Sequence, residues 1–290
     1  MSEPPLNPPP SLNPPASPRV PLGAAGPKQP VRIEDVYFEA PVCRNCAAPL
    51  EMPHCSVCGQ KKARRFAWRD LRRETWEHWR LFEITSARTL WRLVSSPGYV
   101  AREYVMGMRK RHMHPLKLLV LMVALLVLAL NRNRFFSHFG YSDLPDAQID
   151  RMAALVQGYA NWSFSLGILA IWGGSYLVYR RRLGYNAIEH AVLAVYCQIL
   201  IIAAILINLV PTLIWNSPEF VRDYKAVSAN YLYAIKVFIV SLAYKQFLLI
   251  ELRREWPRLV AAVLTYMATS WVLLRLYAAA VLAIVQAQSS

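Results

Sequence analysis

The sequence predicts an all-α integral membrane protein: about five transmembrane helices preceded by a small zinc-ribbon-like knuckle and amphipathic interfacial helices. Three observations lead there. The 290 residues are 55% hydrophobic with a mean hydropathy of +0.23, yet they carry a formal net charge of +15. A soluble domain of this size rarely averages positive hydropathy, and a nucleic-acid binder this basic is rarely so apolar. A polytopic membrane protein with basic cytoplasmic faces combines the two properties. Thirteen uninterrupted apolar residues, 118–130, lie just beyond the cations Arg109, Lys110 and Arg111. Ahead of both, four cysteines fall within sixteen residues as two Cys-x-x-Cys pairs.

Residues 1–40 contain eleven prolines and almost no periodic apolar pattern. That composition cannot bury enough surface to offset ordering entropy, so a disordered tail with polyproline character is expected. The first 30 residues hold no apolar h-region, so no signal peptide is expected.

The next unit, 41–62, carries Cys43-Arg-Asn-Cys46 and Cys55-Ser-Val-Cys58. Each Cys-x-x-Cys pair forms a tight turn whose sulfurs converge, and two such turns make a tetrahedral thiolate site for Zn²⁺. Gly59 permits the turn that points backbone N–H groups at the sulfurs. An iron–sulfur or redox dithiol site is the competing chemistry. With so few residues around it, the metal reads as structural, and His54 is surplus to a four-thiolate shell. The fifth cysteine, Cys197, lies in an apolar segment, so the pattern is no secreted disulfide framework and a reducing compartment is expected.

Residues 63–113 read as basic amphipathic interfacial helices. From 61 to 117 there are fifteen Lys/Arg against five Asp/Glu. Trp68, Leu71, Thr75, Trp79, Phe82, Ser86, Leu90 and Leu93 recur at three- and four-residue steps, while Arg69, Arg72, Arg73, Arg80 and Arg92 fill the remainder. Tryptophan on one side and arginine on the other suits a helix lying at anionic headgroups, with Trp68, Arg72, Arg73, Trp79, Arg109, Lys110 and Arg111 as lipid contacts. Ser96 as N-cap and Pro97 at the first position restart a short helix after a break. Nucleic acid is the disfavoured reading, since the positive-inside rule places the same charges before a span.

The membrane domain, 114–285, holds spans near 115–134, 162–179, 187–210, 231–250 and 258–285. About 20 residues are needed to cross a bilayer, and 114–134 supplies 21 with Lys117 and Arg132 able to snorkel. With the N-terminus inside, the connections 180–186 and 251–258 are cytoplasmic and hold six Lys/Arg in fifteen residues. The two outer loops hold five in fifty-one, and this asymmetry supports five spans with the C-terminus outside.

Several pieces together carry a resemblance: Cys58-Gly-Gln60, Pro97-Gly98, Arg102-Glu-Tyr104, Gly107, Arg109 to Arg111, Pro115-Leu116, and Tyr185-Asn-Ala-Ile-Glu-His190. The chain resembles a bacterial domain-of-unknown-function family of polytopic membrane proteins, over roughly residues 43–285. The resemblance implies a bacterial cytoplasmic membrane location and a zinc knuckle; it implies no activity.

Within the spans, Glu189, His190, Lys236 and Arg275 are the candidate polar site, because intramembrane ionisable groups mark function. The plainer reading pairs Glu189 with a basic loop such as 180–182 or 109–111 and lets His190 bond a neighbouring helix. Glu103 likewise reads as an ion-pair partner. No His-Glu-x-x-His, Gly-rich phosphate loop or Ser/His/Asp set is present. The leading expectation is a non-enzymatic, membrane-anchored interaction or scaffold protein, facing anionic lipid and a cytoplasmic protein partner. A small-molecule or ion transporter, with a homo-oligomer compatible, is the alternative. It requires those four polar residues to converge.

Overall fold

The computed structural model describes residues 26–67, 84–132, 165–215 and 217–289. These form α1 (Asp35–Glu39), α2 (Ile84–Ser95), α3 (Pro97–Val105), α4 (Pro115–Arg132), α5 (Ser165–Tyr179), α6 (Ala187–Ile214), α7 (Pro218–Phe247) and α8 (Leu252–Ser289). Among the described residues there is no β-sheet, only two isolated bridges in the cysteine region. Four stretches are long and apolar enough to cross a membrane: Arg109–Arg132, Ala187–Ile214, Glu219–Phe247 and Leu252–Val281. The remaining predicted span appears as the shorter apolar α5.

Burial ranks the helices. α6 is enclosed all round from Ile188 to Ile202 apart from Ala191, as an apolar helix without a polar face should be, and it packs against α3, α4 and α7. α4 buries one stripe, Leu118, Met122, Leu126 and Leu130, at four-residue steps. Its Val120, Leu125 and Leu128 face outward. α8 touches chiefly α7 and leaves Trp256, Leu264, Trp271 and Leu276 exposed. Outward apolar surface on span-length helices is what lipid covers.

α7 starts at Pro218, well before the predicted 231. Ser217 precedes Pro218 at the helix start, and the charged turns that follow are good helix formers, so the stretch reserved for a loop winds instead. Similarly, residues 252–258 form the first turns of α8 rather than a connection.

Two chain reversals meet at one end of the bundle. The turn Arg182–Gly184 has Leu183 and Gly184 at φ 52° and 72°. Arg182 donates to the carbonyls of Leu248 (2.5 Å) and Leu249 (2.9 Å) and to Glu255 Oε2 (2.7 Å), tying this turn to the α7–α8 corner. α5 and α7 therefore end where α4, α6 and α8 begin.

The cysteine unit and α3 share that end. Of the predicted tail, residues 26–40 are described, and they pack: Ile33 is fully buried and its N–H bonds Leu183 O at 2.9 Å. Of the predicted surface helices, α3 is instead enclosed between α6 and α7, with every residue but Tyr99 buried. An amphipathic pattern says that one face is covered; protein covers it here. Gly98 explains how closely: a Cβ there would meet Ala243 O at 2.3 Å and Phe247 N at 2.6 Å. Residues 68–83, with Trp68, Arg72, Arg73 and Trp79, lie outside the described residues.

Candidate metal centre and the collar that holds it

Cys43, Cys46, Cys55 and Cys58 place their sulfurs all within 4.8 Å of one another. The unit is built twice in the same register. Cys43 O accepts from Ala47 N and Cys55 O from Gly59 N, both at 2.8 Å. Cys43 N donates to Ala48 O (2.8 Å) as Cys55 N does to Gln60 O (2.9 Å), and bridges Val42–Pro49 and His54–Lys61 close the two turns. Ala47 and Gly59 both take positive φ, 62° and 67°.

The sulfurs approach in pairs, Cys43 with Cys58 at 3.6 Å and Cys46 with Cys55 at 3.5 Å. A tetrahedron of 2.3 Å metal–sulfur bonds has edges of about 3.8 Å, so the set fits one tetrahedral cation. Without a cation the four thiols do not ionise alike: Cys43 and Cys46 are pushed up, Cys55 and Cys58 pulled down. The N–H groups of Cys58 and Val57 hold the Cys55 thiol down to about 6 against burial. At Cys46 the Ala48 N–H also pulls down, but burial and the three other sulfurs push the thiol up to about 12. Four neighbouring thiolates need a positive ion among them. These four cysteines can hold a metal ion.

The knuckle is clamped to the loop before the first span. Gln60 donates to Gly107 O at 2.7 Å and accepts from Lys110 N at 3.1 Å. Arg109 donates to Arg64 O (2.6 Å), Arg111 to Asn45 O (2.9 Å) and Lys110 to Cys58 O. Arg109 also lies over the Phe66 ring, 3.9 Å from its centroid. Gly107, at φ 98°, is held so close that a Cβ would reach 2.7 Å from Ala63 Cβ. The three cations expected at headgroups therefore grip knuckle carbonyls.

Beneath the clamp, Glu103 is 3% exposed and takes Arg92 Nη2 at 2.9 Å and His112 Nε2 at 2.6 Å. Burial alone would raise its carboxyl, but the bonds from His112 and Arg92 outweigh it and hold the group below the usual carboxylate range. Tyr196 of α6 donates to Met113 O at 2.8 Å, tying the start of α4 to the central helix.

Glu189 and His190 occupy this end too, but separately. Asn186 caps α6: its side chain accepts from Glu189 N (2.8 Å) while Glu189 Oε2 accepts from Asn186 N (2.7 Å). The remaining carboxylate oxygen meets Arg65 at 3.2 Å, so the ion pair expected for Glu189 forms with a different cation. His190 Nδ1 bonds Ser175 Oγ of α5, as expected of a helix-bridging histidine. Arg275 stands exposed on α8 over Trp271, and Lys236 is half-buried partway along α7. Among the described contacts, nothing joins these four residues. The sequence missed Arg65; the capping box Asn186-x-x-Glu189 was a readable signal for the helix start.

The geometry defines an all-helical protein with span-length apolar helices and a four-cysteine metal-type knuckle packed at one end. Residues 87–127 match the profile of a family described as "Protein of unknown function (DUF3667)". That stretch covers most of α2, all of α3, the clamping loop and most of α4, the part of the chain where the collar joins the first span. No curated protein and no solved structure matches the chain.

Proposed function

We propose that the protein is a non-enzymatic scaffold of the bacterial cytoplasmic membrane, with a cytoplasmic zinc knuckle that presents a docking face to an acidic, partly apolar segment of a protein partner. The observation behind this reading is the knuckle's two-sidedness. One side is fastened to the membrane domain, and the other exposes Met52 (68%) and Val57 (73%). Beside them lies a cavity of about 300 Å³ lined by Leu50, Met52 and Pro53, by the cations Lys61, Lys62 and Arg64, and by one acid, Glu51. A fastened module with a free apolar and basic face is a platform, since its position relative to the membrane is set before any partner arrives. Zinc is the metal that four thiolates at tetrahedral spacing favour, and a closed shell without an open position suits a structural role. The basic lead, with Trp68, Arg72, Arg73 and Trp79, adds contact with anionic headgroups. The transport reading rested on Glu189, His190, Lys236 and Arg275 lining one path, and no contact among them supports it.

Purified protein is expected to carry about one zinc per chain by elemental mass spectrometry, and the Cys55→Ser, Cys58→Ser double variant to lose it. A photo-crosslinker at position 57 in cells is expected to give an adduct with a cytoplasmic protein that this double variant no longer forms. Zinc-free wild type would refute the metal assignment. A zinc-loaded, well-expressed protein giving no adduct would refute the platform.

A further inference from the structure

The corner where the α5–α6 turn meets the α7–α8 connection carries more positive charge than the fold uses. Segments 180–184 and 245–258 hold seven Lys/Arg against two acids, Glu251 and Glu255. Arg182 is spent on structure: it bonds Leu248 O, Leu249 O and Glu255, and so holds the turn against the first turn of α8. Arg258 shares Glu255 at 3.9 Å. The chain neighbours of this contact are Arg180 and Arg181 on one side, Arg253 and Arg254 on the other, and all four are exposed. Among the described residues none of the four forms an ion pair.

Their position runs against the helix. The first turn favours anions, because its N–H groups carry a partial positive charge. α8 nevertheless starts Leu252-Arg253-Arg254, and the Arg182–Glu255 contact brings Arg180 and Arg181 to the same place. Like charges thus gather where the backbone is already positive, and no ion pair among the described residues offsets the repulsion.

An unsatisfied donor lies at the same contact. Tyr179, the last residue of α5, is 3% exposed, and Arg182 lies over its ring, 5.8 Å from the centroid. Its hydroxyl is buried and has no acceptor. A buried donor without a partner calls for one, and beside guanidinium groups an anionic oxygen suits it.

The surroundings say which kind of anion. α5 and α8 lie so close that a Cβ on Gly174 would reach 2.7 Å from Ala262 O. On these two helices Leu177, Trp256, Val260 and Leu264 are exposed, just beyond the arginines on the membrane side. A soluble anion makes no use of that surface, whereas acyl chains cover it.

We propose that this corner binds a phospholipid carrying two phosphates, of the diphosphatidylglycerol (cardiolipin) type. Arg180 and Arg181 take one phosphate and Arg253 and Arg254 the other, while the Arg182–Glu255 bond keeps the two pairs together. A headgroup with one phosphate leaves one pair without an anion; two linked phosphates satisfy both. The proposal rests on the helices being membrane spans. It shares no residue with the knuckle, so it stands or falls separately from the platform.

The test is native mass spectrometry of the full-length protein in detergent. Cardiolipin is titrated against phosphatidylglycerol at twice the concentration, which matches the phosphate. About one cardiolipin per chain, held about tenfold or more tightly than phosphatidylglycerol, is the expected result. Arg180→Gln with Arg181→Gln, or Arg253→Gln with Arg254→Gln, is expected to weaken cardiolipin about tenfold and to remove its advantage. These side chains are exposed, and thermal unfolding without added lipid checks that each variant keeps the fold. Lys61→Gln with Lys62→Gln removes the same charge at the knuckle and is expected to leave the affinity unchanged. Equal binding of the two lipids, an equal loss in the lysine control, or no bound cardiolipin overturns the proposal.

Discussion

At the scale of single residues, Glu103 is the most consequential acid in the collar. Its carboxylate is buried, bonded to Arg92 and His112, and held below its usual range. A carboxyl depressed in the folded state binds its proton more readily when unfolded. Its stabilisation is therefore complete above the ordinary carboxylate range and is lost as pH falls through the folded value. Thermal unfolding in detergent should show a plateau near neutral pH and a decline on the acid side. Glu103→Gln should lower the plateau by about 3 kcal/mol, because two cationic partners lose their anion, and should flatten the acid limb. An unchanged acid limb in that variant would assign the pH dependence to another group. Residue identity alone goes only part of the way here. The pairing of Glu103 is legible because bases surround it in sequence. Arg65 is not legible as the partner of Glu189, because 124 residues separate them and only docking brings them together. Arg102 stands in the Arg102-Glu-Tyr104 motif, yet its complete burial is not legible there, because composition cannot say what closes over a side chain.

At the scale of elements, α3 and Gly98 decide how the collar meets the bundle. Gly98 N donates to Gln246 Oε1 at 3.0 Å, and its missing side chain lets α3 touch the backbone of α7. Gly98→Ala should cost about 1–3 kcal/mol by overpacking, since backbone atoms cannot move aside as a flexible side chain could. The measurement is thermal unfolding of the purified variant, and a change within error would mean that the crossing is looser than its geometry shows. The existence of these helices is legible in the sequence: the Ser96-Pro97 restart, the apolar run of α4 and the capped start of α6 all form where local signals place them. Boundaries are less so. The charged first turns of α7 and α8 carry no hydropathy signal, and their helicity comes from propensity and packing. The double Cys-x-x-Cys is the most legible part of the site, because ligand spacing is a local property that survives any tertiary arrangement.

At the scale of the whole molecule, the end-to-end alternation of α4 to α8 carries a prediction about sides. Positions 183 and 255 share an end with the knuckle, through Ile33–Leu183 and Arg182–Glu255, while α8 carries position 288 away from it. Cysteine-accessibility labelling in sealed membranes should report 183 and 255 on the same face as residue 62, and 288 on the opposite face. Finding 288 with residue 62 would require an even number of crossings and would remove α5 as a traverse.

The burial of α3 also bears on how the protein is made. Its two faces lie against α6 and α7, and Gly98 waits for Gln246, 148 residues further along. The knuckle's own turns are complete once residue 62 has left the ribosome, yet the surface on which they rest is finished only when α7 has been synthesised and inserted. Until then the newly made chain must hold Arg102 and Glu103 in water or against a chaperone, so the early segment is the part most exposed to proteolysis during biogenesis. A chain cut short before α7 would be a substrate for membrane quality control, even with its cysteines and first span intact.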